Sequence, residues 1–303
     1  MSSKKLFYTI TLICPFSICS ILSFAQLRFE RVYGGTQTDI ANTIINTNDG
    51  GYLMAGRTQS YGGSYLGDND AYIIKTDSTG KTEWAKTYGD SEMEEAFSIE
   101  KVNSGYFILG NAVNLSTTYS AVNLLHIDDK GNLLWNKIYT INNDARGSVI
   151  KKINSNQFVI SGATYKDADN DKEIFLLKID STGNVIWGRG YNGNEFYTDV
   201  PNNISFTNDG GFVITGNSFY VATHDYNIIC IKIDSNGNQQ WINTYAPSRN
   251  TRGTAAYQLS NGGYIIGGQF VNPETGADML LIRVDSIGNV IWNRKYGGDG
   301  IDF

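Results

Sequence analysis

The sequence predicts an all-β protein, and three observations carry the prediction. First, the stretch Asp77-Ser-Thr-Gly80-Lys-Thr-Glu-Trp84 returns as Asp128…Gly131…Trp135, Asp180…Gly183…Trp187, Asp234…Gly237…Trp241 and Asp285…Gly288…Trp292. Second, all five tryptophans occupy this slot, each four residues before a tyrosine (Tyr88, Tyr139, Tyr191, Tyr245, Tyr296), at steps of 51, 52, 54 and 51 residues. Third, no stretch keeps a 3.6-residue period, whereas alternating apolar and β-branched residues dominate. A period near 50 residues made of short strands marks a solenoid or a propeller. Four antiparallel strands per unit describe the blades of a β-propeller. A β-solenoid, with shorter coils and fewer hairpin turns, is the alternative.

Residues 1–25 read as a secretory leader. Lys4 and Lys5 precede an apolar run from Leu6 to Phe24, and Ser23-Phe24-Ala25 offers a small-x-small cleavage site. The alternative, a membrane anchor, fits poorly with Pro15, Ser17 and Ser20 inside the run. Ile13 and Ile18 before Cys14 and Cys19 exclude a lipoprotein site, which needs a small residue there. This expects a secreted or outer-surface protein with no membrane insertion after cleavage. The formal net charge is −6, more negative once the leader's two lysines are gone, and no basic run exists. Nucleic acid and anionic membranes are therefore not expected partners. The cysteine left after cleavage, Cys230, sits in an apolar run and reads as a small buried hydrophobe.

The propeller domain is expected over 26–303, with blades at about 40–89, 95–140, 146–192, 199–246 and 252–297. Each has four strands, A to D. Strand A opens on a small residue: Ala41, Ala96, Gly147, Pro201, Gly253. Strand B starts on an aromatic with a glycine four residues on: Tyr52/Gly56, Tyr106/Gly110, Phe158/Gly162, Phe212/Gly216, Tyr264/Gly268. Strand C is a β-rich run. Strand D carries the Trp and Tyr. Asn48-Asp-Gly-Gly51, Asn208-Asp-Gly-Gly211 and Asn261-Gly-Gly263 are A–B hairpin turns, since Asn and Gly tolerate positive φ. In the C–D turn, Asp77, Asp128, Asp180, Asp234 and Asp285 are positioned to accept backbone N–H groups, a structural rather than catalytic role. Trp84, Lys86 and Tyr88 share one face of strand D. A tryptophan in every copy reads as a wedge between sheets rather than a row of exposed stacking indoles.

Residues 27–35 repeat strand D, with Phe29 in the tryptophan slot and Tyr33-Gly-Gly after it, as an extra outer strand. Tyr296-Gly-Gly…Asp302 matches Tyr33-Gly-Gly…Asp39. Five complete repeats are visible, which reads as part of a larger ring; a five-blade ring with a redundant strand is the alternative. The pattern from Tyr33 to Trp84, Tyr-Gly-Gly…Asn-Asp-Gly-Gly-Tyr…Asp-Ala-Tyr-Ile-Ile-Lys-Thr-Asp-Ser-Thr-Gly…Trp, resembles secreted propeller-repeat proteins of type IX-secreting Gram-negative bacteria. The resemblance covers nearly all of 27–303 and implies a repeat type, not an activity. The turn-Trp element also resembles the docking repeat of quinoprotein propellers. That repeat has one more residue between Asp and Gly, so quinone binding is not implied.

In such a meander the B–C and D–A loops share one rim. Most of the length variation falls there: strand-B glycine to turn aspartate spans 21, 18, 18, 18 and 17 residues. Irregular loops on a rigid scaffold are where binding concentrates. Candidate binding aromatics are Tyr61, Tyr65, Tyr119, Tyr165, Tyr197, Tyr220 and Phe270, suited with neighbouring acids to a polysaccharide or protein ligand. Solvated loops with packing aromatics are the bland alternative. Asp199 paired with Asp167 or Asp225 would serve a glycan hydrolase if the carboxyls lie roughly 5–10 Å apart. Asp167, Asp169 and Asp171 resemble half of a calcium loop, but Lys172 and Lys178 replace its glycine and closing glutamate. No cofactor is expected. With only His126 and His224, a Ser/His/Asp or histidine-rich metal site is not expected. The expected role is a non-enzymatic binding or adhesion scaffold, against a hydrolase or a structural spacer.

Overall fold

The computed structural model describes residues 29–62, 69–89, 93–113, 119–142, 144–165, 172–192, 197–220, 223–247, 250–272 and 276–298. The leader and the proposed calcium loop lie outside them. Among the described residues, twenty strands form five four-stranded antiparallel sheets, each an up-and-down meander. The sheets are β1 (Asp39–Asn46) to β4 (Thr82–Tyr88), β5 (Met93–Val102) to β8 (Leu133–Tyr139), β9 (Ala145–Asn154) to β12 (Val185–Tyr191), β13 (Tyr197–Phe206) to β16 (Gln239–Tyr245), and β17 (Thr251–Gln258) to β20 (Val290–Tyr296). Among the described residues there is no helix.

The arrangement is propeller-like. The first strands converge, with β1 against β5, β5 against β9, β9 against β13 and β13 against β17. Four apolar cores fill the four spaces between successive sheets. Leu53 and Ile73 meet Ile99 and Ile108; Leu109 and Leu124 meet Ile150 and Phe158; Leu176 and Val159 meet Ile204 and Ile214; Ile228 and Cys230 meet Ala256 and Ile266. The central strands are therefore apolar on both faces, as strands sandwiched between sheets must be. The five sheets are not closed into one ring.

A repeated clamp joins each sheet to the next. Tyr88 Oη donates to Gly131 O at 2.6 Å, Tyr139 to Gly183 O, Tyr191 to Gly237 O and Tyr245 to Gly288 O, each at 2.8 Å. The neighbouring indole lies on the same turn. A Cβ built on Gly131, Gly183, Gly237 or Gly288 would come within 2.9–3.1 Å of Trp84, Trp135, Trp187 or Trp241. These glycines thus meet two demands: a positive φ of 71–87° and room for a neighbour's indole. Trp84 and Trp241 also donate through Nε1 to Asp129 O and Ser286 O, both at 3.1 Å.

The two ends differ from the interior. Residues 29–35, the described part of the expected outer strand, pair with none of the described sheets. Phe29 and Tyr33 nevertheless reproduce the clamp: Phe29 covers Gly80 and Tyr33 Oη donates to Gly80 O at 2.6 Å. At the other end the expectation of a wedged indole fails for Trp292. It is 37% exposed, Tyr296 is 43% exposed and β20 is open along its length. No described sheet follows to cover them.

The turns show why their residues recur. In all five C–D turns the aspartate Oδ1 accepts the backbone N–H groups two and four residues on, as Asp128 does from Lys130 and Asn132 at 2.9 and 2.7 Å. In two A–B turns the aspartate also neutralises a buried lysine. Lys75 Nζ reaches Asp49 and Glu83 at 2.8 and 2.7 Å, and Lys232 Nζ reaches Asp209 at 2.8 Å. Burial pushes the Asp209 carboxyl up, but bonds from Lys232, Thr207 and the Gly211 amide outweigh it and hold the pKa at about 2. Each lysine stands across the sheet from an indole, Lys75 from Trp84 and Lys232 from Trp241. His126 holds this slot opposite Trp135 and lies within 3.0 Å of Ser104 O.

Candidate functional site: a cleft at the inner strands

The small residue of strand A and the glycine of strand B are partners. Ala41 pairs with Gly56, Ala96 with Gly110, Gly147 with Gly162, Pro201 with Gly216 and Gly253 with Gly268. Directly after each small residue the register shifts, leaving Asn42, Phe97, Ser148, Asn202 and Thr254 as bulge residues. The glycine is required there. A Cβ at any of the five would stand 1.8–2.4 Å from the carbonyl oxygen preceding the small residue. A bulge adds one unpaired residue and re-aims its side chain. Repeated around the converging strands, it furnishes a ring of polar and aromatic side chains.

Four of these bulge residues, Asn42, Phe97, Ser148 and Asn202, line a cleft of about 500 Å³. Its remaining lining includes Asn111, Ala163 and Val200, with Asp144, Arg146, Tyr165 and Lys172 at the rim end. These last four come from the residue before β9 and its start, the end of β10 (Gln157–Tyr165) and the start of β11 (Lys172–Asp180), which is the rim carrying the B–C and D–A loops. The site is internally braced. Gly147 N donates to Asn111 Oδ1 at 2.8 Å, Ser120 N to Asp144 Oδ1 at 2.9 Å, and Arg146 Nε to Ser120 Oγ at 3.2 Å. Lys172 Nζ sits 4.6 Å from the centre of the Tyr165 ring. On the opposite rim, Ile44, Glu100, Lys101 and Lys151 border a more open depression that holds one acidic and two basic side chains.

Of the aromatics singled out from sequence, Tyr165 lines the cleft. Tyr61 instead stacks on Tyr72 at 5.4 Å and donates to Gly34 O. Tyr119 is half exposed, just before β7 (Ser120–Ile127). Tyr220 ends β14 (Phe212–Tyr220) opposite Asp225. Phe270 lies under Lys295 Nζ at 3.4 Å. Tyr65 falls outside the described residues, as do Asp167, Asp169 and Asp171, and Tyr197 is described only through its backbone. Asp199 is fully buried opposite Ser218, behind the cleft-lining Val200 rather than in the cleft. Asp225 opens β15 (Asp225–Ile233). Sequence reasoning missed Arg146, Lys172 and the bulge residues. The signal for the bulges was present: a small residue and a strand-B glycine recurring together.

Among the described residues no group of three or more His, Cys, Asp or Glu side chains could hold a metal. The Cys230 thiol is fully buried, and that burial pushes its pKa up to about 12, so it is no nucleophile.

The chain matches no known protein family and no curated protein. Solved structures do share its architecture. A protein of unknown function from Dyadobacter fermentans DSM 18053 aligns over 88% of this chain and 86% of its own, at 11% identity and TM-score 0.56. The subtype N11 neuraminidase-like protein of A/flat-faced bat/Peru/033/2010 (H18N11) aligns over 82% of this chain and 71% of its own, at 12% identity and TM-score 0.50. At such identities the likeness is one of fold.

Proposed function

We propose that this protein is a secreted or surface-displayed β-propeller that binds a polysaccharide or protein ligand in the inner-strand cleft, as a scaffold rather than an enzyme. The five sheets are blades, and the open Trp292 face supports their belonging to a larger ring. The leader-like segment and the repeat pattern support export, in the manner of the type IX-secreted repeat proteins the sequence resembles. The observation that carries the binding reading is the cleft itself. It is concave, sits on the rim where loop length varies, and combines two aromatics, Phe97 and Tyr165, with amides and charged groups on rigid strands.

A glycan-acting hydrolase is the second reading, favoured by the same cleft. Its lining holds one described carboxylate, Asp144, so a second would have to come from elsewhere. Binding on a glycan and peptide array, lost in Tyr165→Ala, tests the first reading. Sugar release that Asp144→Asn abolishes would replace it with the second. An array silent for wild type and variant alike, with no sugar release, would leave only a structural spacer.

A further inference from the structure

We propose that the cleft is selective for an acidic polysaccharide, with Arg146 and Lys172 receiving the carboxylate of a uronate unit; this rests on the binding reading above. Four observations support it. First, among the described residues that line it, two cations, Arg146 and Lys172, face one carboxylate, Asp144, in a chain of net charge −6. Of the described acids nearby, Glu95 accepts from Asn42 at 2.9 Å and lies 3.7 Å from Arg57 Nε, while Glu173 lies against Gly190. Asp144 accepts the Ser120 amide.

Second, the guanidinium is oriented. Its Nε is held by Ser120 Oγ, which fixes the plane and leaves the η edge to meet a carboxylate in bidentate fashion. Third, Lys172 lies over Tyr165, so the aromatic face and the cation are presented together: a surface for a sugar ring beside a partner for its acid group. Fourth, the bulges argue against a peptide in the same cleft. An extended peptide binds by continuing a sheet edge. Here the register of each inner strand breaks right after its small residue, at Asn42, Phe97, Ser148 and Asn202, which blunts that edge. Bulge amides and a hydroxyl spaced along the cleft suit the hydroxyl groups of a sugar chain better.

The test uses affinity electrophoresis and calorimetry with polygalacturonate, the same polymer after chemical reduction of its carboxylates to alcohols, and polyglutamate. Wild type is expected to bind polygalacturonate, more weakly as salt rises, and to lose at least about tenfold in affinity for the reduced polymer, the loss of one charge-assisted contact. Arg146→Gln and Lys172→Gln should each lose about tenfold toward the acidic polymer and distinctly less toward the reduced one, so that the ratio of the two affinities falls. Equal binding of both polymers, with sensitivity to Tyr165→Ala, would overturn the acidic selectivity and leave the binding reading standing. Preference for polyglutamate would overturn the sugar assignment. No binding of any of the three would overturn the inference; the array of the preceding section then decides the binding reading separately.

Discussion

The inter-sheet clamp makes a comparison that one molecule can decide. Tyr191 is buried and donates to Gly237 O at 2.8 Å, while its positional equivalent Tyr296 is 43% exposed with no described sheet beyond it. Tyr191→Phe removes one hydroxyl and leaves a carbonyl facing an apolar edge, a loss of about 1–2 kcal/mol. Tyr296→Phe should cost nothing beyond about 0.5 kcal/mol, as surface changes do. The indoles should follow. Full truncation of a buried aromatic costs about 3–5 kcal/mol, so a half-buried Trp187 on Gly237 should lose about 2 kcal/mol as alanine, and Trp292 under about 1 kcal/mol. Urea unfolding followed by circular dichroism and by tryptophan emission provides the assay. In a stacked array each unit leans only on its neighbours, so the two probes should diverge in Trp187→Ala as the two sides of the broken interface uncouple. Equal penalties at Tyr191 and Tyr296 would refute the clamp as the source of cohesion between sheets.

Three other outcomes are expected. Gly216→Ala drives a Cβ to within 2.1 Å of Val200 O, so the bulge must be rebuilt and stability should fall by about 2 kcal/mol or more in chemical denaturation; an unchanged midpoint would sink the requirement for glycine. The Asp209 pKa of about 2 lies below the ordinary unfolded value of about 3.9. Its stabilisation is therefore complete above pH 4 and is lost as pH falls from about 4 to 2. With its side chain 46% exposed, solvent screening reduces this to roughly 1 kcal/mol. Asp209→Asn should flatten that part of the stability–pH curve and leave the neutral-pH end lower. Finally, Cys230 should resist a thiol reagent in native buffer and react at once in denaturant; rapid native labelling would contradict its burial.

The number of sheets, their four-strand make-up and their antiparallel order could all be read from the chain, because the Asp–Gly–Trp turn recurs at fixed spacing. Such turns depend on local backbone chemistry, and local chemistry is visible in sequence. The purpose of the turn glycine was only half visible: positive φ is local, but the neighbouring indole that needs the same space sits 47–50 residues upstream. The buried lysine–aspartate pairs were hidden for a similar reason. Asp49 and Asp209 looked complete as turn residues, and nothing local shows Lys75 or Lys232 arriving from two strands on. The site was the least legible part. Tyr165 was picked out by its loop, whereas Arg146 and Lys172 are ordinary surface residues until the third sheet brings the ends of three strands together. Asp199 looked like a rim carboxylate because it opens a strand, but it faces the interior of its blade, and a two-residue strand period cannot tell an inward from an outward face at a strand end.

Every clamp between the described sheets points the same way, from the last strand of one sheet to the turn of its successor, and each of these joints uses the same hydroxyl, indole and glycine. Units cut from this pattern are interchangeable parts. A gene that duplicates or drops one whole segment of about 52 residues keeps each remaining joint intact without compensating changes, so blade number can drift while the joining chemistry stays fixed. Among the described residues, the hydroxyls, indoles and glycines of the clamp all lie outside the rim loops, so selection on ligand preference can act on those loops and leave the clamp unchanged.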